Sequence, residues 1–287
     1  GFTIKNNSAI NQTGNWVSWN WRAGGNKNTF NVDDVGYASA AAAGLTGGNV
    51  TPSGASVGTK QGFSIVKWTR GSSTDTIPHG LSQAPDLIIQ KSTSATKRWQ
   101  VGFSALGWDR RLYLNLTDED SDSTSFGYTG NFGPTDTLLR TGGTSYVSGD
   151  MIAYCWHNVP GLQKFGKYTG IDSKAKFVEL GFRPAIVVIK FTQGTDVGSH
   201  AGWKVIDNQR NKFNPSGISQ KLAWDVLEAE NGGTTISTSE GKVDFLSNGF
   251  RIRDNHAPFN TSSRDYVYMA WAEHPFVSST GTPTTAR

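Results

Sequence analysis

Cysteine is almost absent: Cys155 is the only one among 287 residues. No intrachain disulfide can form, so the fold must be stabilised by burial or by association with other chains. Cys155 lies in the string Ile-Ala-Tyr-Cys-Trp, which has the pattern of a strand. This setting favours a small buried side chain over a catalytic thiol.

Long apolar runs and blocks of one charge are also missing. No stretch is apolar enough to span a bilayer and no signal peptide is visible, so we expect no membrane insertion. The net charge is only +4, and Lys and Arg occur in no run longer than two. No basic stripe or known motif accompanies this charge, so we expect no nucleic-acid binding.

What the chain has in plenty is glycine and aromatic residues, with 34 Gly, 10 Trp and 15 Phe against 2 Met. Such a composition is typical of short strands joined by many turns and predicts an all-β protein.

The order of these signals repeats along the chain, with offsets of 99 to 115 residues. In each copy a proline begins an apolar run, a tryptophan follows that run, and a second tryptophan lies near the end of the copy. The pattern predicts two tandem modules, residues 62–161 and 162–277. The equivalent pairs are Pro85 and Pro184, Trp99 and Trp203, and Trp156 and Trp271.

The N-terminus matches the end of a third copy, because Gly1-Phe-Thr-Ile4 corresponds to Gly249-Phe-Arg-Ile252. We therefore expect residues 1–35 to hold the terminal strands of a truncated upstream repeat. The chain would then be the C-terminal part of a longer polypeptide. Residues 36–61 are rich in Ala, Gly and Ser and predict a linker or arm, and 278–287 form a polar C-terminal tail.

Strand patterns indicate how the modules are packed. Alternate residues of the closing strands, such as Tyr154 and Trp156, are large and apolar, which places one face in a core. The runs after Pro85 and Pro184 are apolar throughout, as in strands buried on both faces. Together they predict tandem antiparallel β-sandwich modules, jelly-roll or concanavalin-like. Two separate domains and two halves of one sandwich are both compatible with this pattern.

Catalytic motifs are not found. The five histidines have no metal-ligand spacing, and His79 lies in a turn string, Pro-His-Gly-Leu. No HExxH, CxxC, Gly-x-Ser-x-Gly or phosphate loop is present. Carboxylates that could serve glycoside hydrolysis have no local signature, so we expect no enzyme and no cofactor. These carboxylates are Asp207, Asp225, Glu228 and Glu230.

One acidic run has metal-binding potential, since Asp118, Asp120 and Asp122 could converge on a calcium ion. An EF-hand loop needs Gly at its sixth position and Glu at its twelfth, where this chain has Ser123 and Thr129. A solvated loop is therefore favoured over a structural calcium site.

Most tryptophans follow the repeat, and the equivalence of Trp99 with Trp203 favours packing for both. Trp108 and Trp224 lie in irregular surroundings. Aromatic faces exposed in a concave site would suit a saccharide, so these two are the candidate glycan contacts.

In combination, several strings resemble a repeated domain of unknown function. It is found in large structural proteins of marine bacteriophages, notably podoviruses and cyanophages, where it often follows a SPRY-like (concanavalin-type) β-sandwich module. The strings are Gly-Phe-Ser-Ile-Val (62–66), Pro-His-Gly-Leu-Ser-Gln-Ala-Pro (78–85), Met-Ile-Ala-Tyr-Cys-Trp (151–156), Lys-Phe-Gly-Lys-Tyr-Thr-Gly (164–170), Gly-Phe-Arg-Pro-Ala (181–185), Phe-Leu-Ser-Asn-Gly-Phe-Arg-Ile-Arg (245–253) and Tyr-Met-Ala-Trp-Ala-Glu-His-Pro-Phe (268–276).

This resemblance implies a virion structural protein, most often a tail fibre or appendage that mediates adhesion to the host surface. It supplies no catalytic residues. Expected partners are further copies of the chain, with a homotrimer favoured, other virion proteins and bacterial surface polysaccharide. The alternatives are a lectin-like carbohydrate-binding module, a head decoration protein without receptor binding, and a polysaccharide-degrading tailspike.

Overall fold

The structure, a computed structural model, describes residues 16–128, 130–143, 149–173, 176–192, 202–214, 217, 219–226, 230, 241–255, 258–277 and 283–284. Within these ranges the regular elements are all strands, so the all-β prediction is confirmed. No helix in the described ranges is long and apolar enough to cross a membrane.

The first repeat and the segment before it contribute thirteen strands. They are β1 (Phe30–Val32), β2 (Val35–Tyr37), β3 (Gly54–Gly58), β4 (Phe63–Thr69), β5 (Asp75–Pro78), β6 (Leu87–Ser92), β7 (Gln100–Phe103), β8 (Arg110–Tyr113), β9 (Ser121–Asp122), β10 (Gly127–Tyr128), β11 (Asn131–Phe132), β12 (Leu138–Thr141) and β13 (Asp150–Trp156). Nine of them form one large sheet in the order β2-β1-β3-β4-β13-β6-β7-β8-β9, and β5 pairs with β12 in a small sheet. Every pairing is antiparallel except that of β1 with β3.

The second repeat has the same plan. Its strands are β14 (Gln163–Thr169), β15 (Lys176–Glu179), β16 (Pro184–Phe191), β17 (Lys204–Asp207), β18 (Leu222–Ala223), β19 (Val243–Leu246), β20 (Gly249–Ile252) and β21 (Asp265–Ala272). The large sheet has the order β14-β21-β16-β17-β18, and the small sheet has the order β15-β20-β19. The pair β22 (Phe276–Val277) and β23 (Pro283–Thr284) follows.

Strand order and register show that the two repeats are structural copies. The order β4-β13-β6-β7-β8 in the first repeat corresponds to β14-β21-β16-β17-β18 in the second. In each copy the first and closing strands share the same side-chain bond, since Thr69 donates to Asp150 and Thr169 to Asp265, both at 2.6 Å. The two repeats found in the sequence therefore also share the same strand topology.

Apolar side chains fill three layers of core. One layer lies on the outer face of each large sheet, under the small sheet of its own repeat. The third lies between the two large sheets and takes residues from both, among them Trp156 and Trp271. Each repeat is thus a β-sandwich with its own core, and the two share a central core. Strands β6 and β16 are buried on both faces, as their apolar runs predict.

The segment 36–61 differs from the expected linker. It contains β3, which lies inside the nine-stranded sheet between β1 and β4. Ala40 and Leu45 are buried at 4% and 3% exposure in the outer core of the first repeat. Small side chains here allow close packing against the sheet, so this composition does not make a free arm.

The N-terminal region also differs from expectation. Residues 1–15 lie outside the described part, and Trp16 to Trp21 form no strand. The strands of this region, β1 and β2, extend the large sheet of the first repeat. They are joined by a tight turn at Asp33 and Asp34, both with positive φ, as a two-residue hairpin loop requires. Asp33 also accepts a bond from the backbone of Thr59 at 2.8 Å.

Candidate functional site

An open cleft of about 310 Å³ lies between the two large sheets, beside the central core. We call it the aromatic cleft. Its floor is buried, and its mouth is formed by side chains that are half-exposed. The floor consists of Phe63, Ile89, Trp156, Met269 and Trp271; the mouth consists of Trp21, Ile65, Trp99, Leu114, Tyr154 and Trp224.

Aromatic contacts across the repeats build the floor. Phe63 stacks on Trp156 with ring centroids 4.5 Å apart, and Trp156 meets Trp271 edge-on at 6.4 Å. Trp156 is the last residue of β13 and Trp271 the last but one of β21, and the alternation of each strand aims one of them into the shared core. Such pairs are favourable beyond the area that they bury.

A difference between the repeats opens the mouth. Trp203 is fully buried, and its indole N–H donates to the carbonyl of Tyr113 at 2.8 Å. Its equivalent Trp99 is half-exposed and stacks on Tyr154 at 6.3 Å. Both tryptophans pack as expected, since Trp99 contacts the central core although it is only partly buried. Burial raises the pKa of Tyr154.

The N-terminal segment forms one side of the cleft. Trp21 packs on Trp271 at 4.9 Å, and Trp19 meets Trp224 edge-on at 6.2 Å. The guanidinium of Arg210 lies 6.0 Å from the ring of Trp19. Trp19 and Trp21 are therefore both partly buried against the central core although the backbone of this segment is not a strand.

A second cavity, of about 400 Å³, shares Trp21, Phe63 and Trp271 with the aromatic cleft. We call it the polar cavity, because Ser18, Asn20, Arg22, Gln61 and Gln163 also line it. Arg22 pairs with Asp34. Gln163 is held in place, since its amide donates to the carbonyls of Gln61 at 2.9 Å and His157 at 2.8 Å.

The two predicted glycan contacts lie apart in the fold. Trp224 is at the mouth of the aromatic cleft, where its backbone N–H donates to Trp203, as that of Leu114 does to Trp99. Trp108 is outside the cleft and packs on Phe126 at 5.9 Å. A Cβ added at Gly102 would lie 2.9 Å from the Trp108 ring, so this ring has a packing role.

The predicted calcium ligands are engaged by arginines. Arg110 donates to Asp120 at 2.8 Å and to Asp122 at 2.5 Å, and Arg98 contacts Asp118 at 3.4 Å. Asp122 is 91% exposed, so the three carboxylates do not enclose a common point. No group of three or more metal-ligating side chains occurs in the described ranges.

The carboxylates considered for hydrolysis are also engaged. Asp207 and Glu230 both pair with Arg210, at 2.7 and 2.6 Å. Asp225 accepts a backbone bond from Trp203 at 3.1 Å. Glu228 lies outside the described residues.

Burial makes both His79 and Cys155 unsuited to acid–base or nucleophilic chemistry. Burial lowers the pKa of His79 to about 4, and each of its ring nitrogens has a backbone partner. Burial raises the pKa of Cys155, so its thiol stays protonated. Of the other histidines, His200 and His256 lie outside the described residues.

Buried lysines are a feature that sequence reasoning missed. Lys190 and Lys204 are fully buried on adjacent strands, and Asp225 acts on both electrostatically. Burial lowers the pKa of Lys190 to about 8. Its ammonium donates to the carbonyl of Leu116 at 3.3 Å, which ties the second repeat to the first. No local sequence signal distinguishes these lysines from exposed ones.

Comparison with known proteins gives one match. The family described as a domain of unknown function, DUF7483, matches residues 1–275, which include both repeats and the segment before them. No curated protein and no solved structure matches the chain. Because the match extends over almost the whole sequence, the chain belongs to the DUF7483 family.

Proposed function

We propose that this chain is a structural protein of a bacteriophage virion, the C-terminal part of a tail fibre or related appendage, and that it mediates adhesion to the host surface. The resemblance of several sequence strings to a repeated domain of marine bacteriophage structural proteins supports a virion component, as do the tandem β-sandwich modules. The aromatic cleft supports the adhesive role, because the partly exposed rings of Trp99 and Trp224 line a concave site. The proposed activity is binding without catalysis.

The mouth of the cleft has features that suit a saccharide of the cell surface. The partly exposed rings of Trp99 and Trp224 line the mouth, where sugar rings can stack on them. The adjoining polar cavity adds hydrogen-bonding side chains, among them Asn20 and Gln61. A few polar groups beside aromatic faces are typical of small-molecule sites.

Binding of the labelled protein to a panel of marine bacteria, read by flow cytometry, tests this function. We expect saturable binding to a few strains, competed by their purified surface polysaccharide. Trp99→Ala and Trp224→Ala should each weaken binding about tenfold or more, since each removes an aromatic contact of roughly 1.5–3 kcal/mol.

Phe177→Ala is the matched control, because Phe177 is 40% exposed on β15, on the small sheet of the second repeat. It should bind as the unchanged protein does. Folded protein that binds no strain would overturn the adhesive role and favour a structural or head decoration protein. The homotrimer and the attachment to other virion proteins stay predictions.

A further inference from the structure

The floor of the aromatic cleft is chemically different from its mouth. Phe63, Ile89 and Met269 carry no side-chain hydrogen-bond donor, and they lie at 4%, 7% and 0% exposure. The indole N–H groups of Trp156 and Trp271 are buried and make no hydrogen bond within the described residues. The aromatic cleft, whose volume of about 310 Å³ includes the mouth, therefore has a predominantly apolar lining.

A sugar alone is poorly suited to this apolar lining. Each buried hydroxyl without a hydrogen-bond partner carries a desolvation penalty, and the floor has almost no partners to offer. An alkyl chain needs none and gains from every methylene removed from water. The volume lies at the lower end of the range for small-molecule sites.

The polar cavity can hold a hydrogen-bonding head group attached to such an alkyl chain. It adjoins the aromatic cleft at Trp21, Phe63 and Trp271. Its lining also includes the side chains of Asn20 and Gln61, which can bond hydroxyl or carbonyl groups. The polar and apolar cavities thus adjoin at three shared side chains, and we call the two cavities together the recess.

We infer that the recess binds an amphiphile, with an acyl chain in the aromatic cleft and the hydrogen-bonding head in the polar cavity. This inference rests on the proposed function, because it takes the ligand to be a lipid-linked saccharide of the cell surface. The saccharide is the hydrogen-bonding head in the polar cavity, and the acyl chain lies along the apolar lining of the aromatic cleft.

Alkyl maltosides with eight, ten and twelve carbons, kept below their micelle concentrations, test the acyl site, with maltose as the head alone. Titration calorimetry should give one site per chain. Affinity should rise about fifteenfold for each two added methylenes until the cavity is full. Tryptophan fluorescence should change in parallel, since tryptophans form the walls.

Leu114→Asp and Leu106→Asp make a matched pair. Both leucines are partly buried against the central core, but only Leu114 lines the cleft. A carboxylate at the mouth should abolish the dependence on chain length, whereas Leu106→Asp should keep it. Should Leu114→Asp fail to fold, as circular dichroism would reveal, the chain-length series on the unchanged protein decides alone.

Failure of the acyl site and failure of the proposed adhesive function would give different experimental results. If the alkyl maltosides bind no more tightly than maltose, or not at all, the acyl site is refuted, and cell binding competed by polysaccharide leaves the adhesive role standing. If alkyl maltosides bind at the cleft while no strain is bound, the acyl site stands and the proposed function is lost.

Discussion

At the scale of single residues, burial decides the chemistry of the titratable side chains. The Nδ1 atom of His79 accepts a bond from the backbone N–H of Leu81 at 3.1 Å. The proton therefore lies on Nε2, which donates to the carbonyl of Thr135 at 3.1 Å. Protonation would place a second donor opposite the Leu81 N–H in a buried site, so the histidine stays neutral.

This arrangement predicts a loss of stability in acid. The pKa of His79 is about 4 in the folded chain, against 6.5 for an ordinary histidine. Between these values the unfolded chain binds the proton more readily, so stability is complete above about pH 6.5 and falls by up to ~3 kcal/mol toward pH 4. Urea unfolding at pH 7 and pH 4.5 measures this fall.

His79→Gln should be less stable at pH 7 and should show a smaller fall between the two pH values. His274→Gln is the control, because His274 is exposed. It should keep the pH dependence of the unchanged protein. An equally steep fall in His79→Gln would assign the acid sensitivity to other groups.

At the scale of elements, the segment before β4 shows how tertiary packing overrides composition. Its Ala, Gly and Ser residues favour flexibility in isolation. In the fold, β3 pairs with both β1 and β4, and Leu45 reaches the outer core beside Gly80. The number of buried contacts, which no local pattern reveals, makes this segment a structural part of the first repeat.

Leu45→Ala tests this assignment. If the segment packs as described, the substitution should lower the free energy of unfolding by ~2–4 kcal/mol, because it opens a cavity in a well-packed core. Thr46→Ala, at the exposed neighbouring position, should change stability by less than about 0.5 kcal/mol. Equal, negligible effects of both substitutions in urea unfolding would show a free linker.

At the scale of the whole molecule, the central core joins the repeats into one unit. Trp156 and Trp271 come from different repeats and meet in it. Trp203 and Lys190 add hydrogen bonds from the second repeat to carbonyls of the first. A repeat on its own would expose one broad apolar sheet face to water.

We therefore expect that fragments 16–161 and 162–277 do not fold alone. Each should aggregate or lack cooperative unfolding when expressed separately, whereas co-expression should give a soluble complex with a circular dichroism spectrum like that of the intact chain. A soluble, cooperatively unfolding single fragment would contradict the shared core.

Much of the architecture could be predicted from local patterns. The alternation of large apolar residues in β13 and β21 correctly places Trp156 and Trp271 in a core, and the unbroken apolar runs of β6 and β16 indicate burial on both sides. The alternation does not reveal that the opposite faces of β13 and β21 are buried as well. The candidate site could be predicted only in part. The irregular surroundings of Trp224 indicate a candidate contact, and the equivalence of Trp99 with Trp203 correctly predicts packing. Repeat symmetry in sequence does not show where the structural symmetry is broken, so it does not reveal that Trp99 also lines the cleft.

The sequence by itself determined the strand content, the repeat and the positions of the core residues, since these follow from side-chain periodicity and turn chemistry along the chain. Only the tertiary structure decided that the two large sheets face each other and that a cleft stays open between them. It also decided which charges are buried. Those properties depend on contacts between residues about a hundred positions apart, and local patterns do not specify such distances.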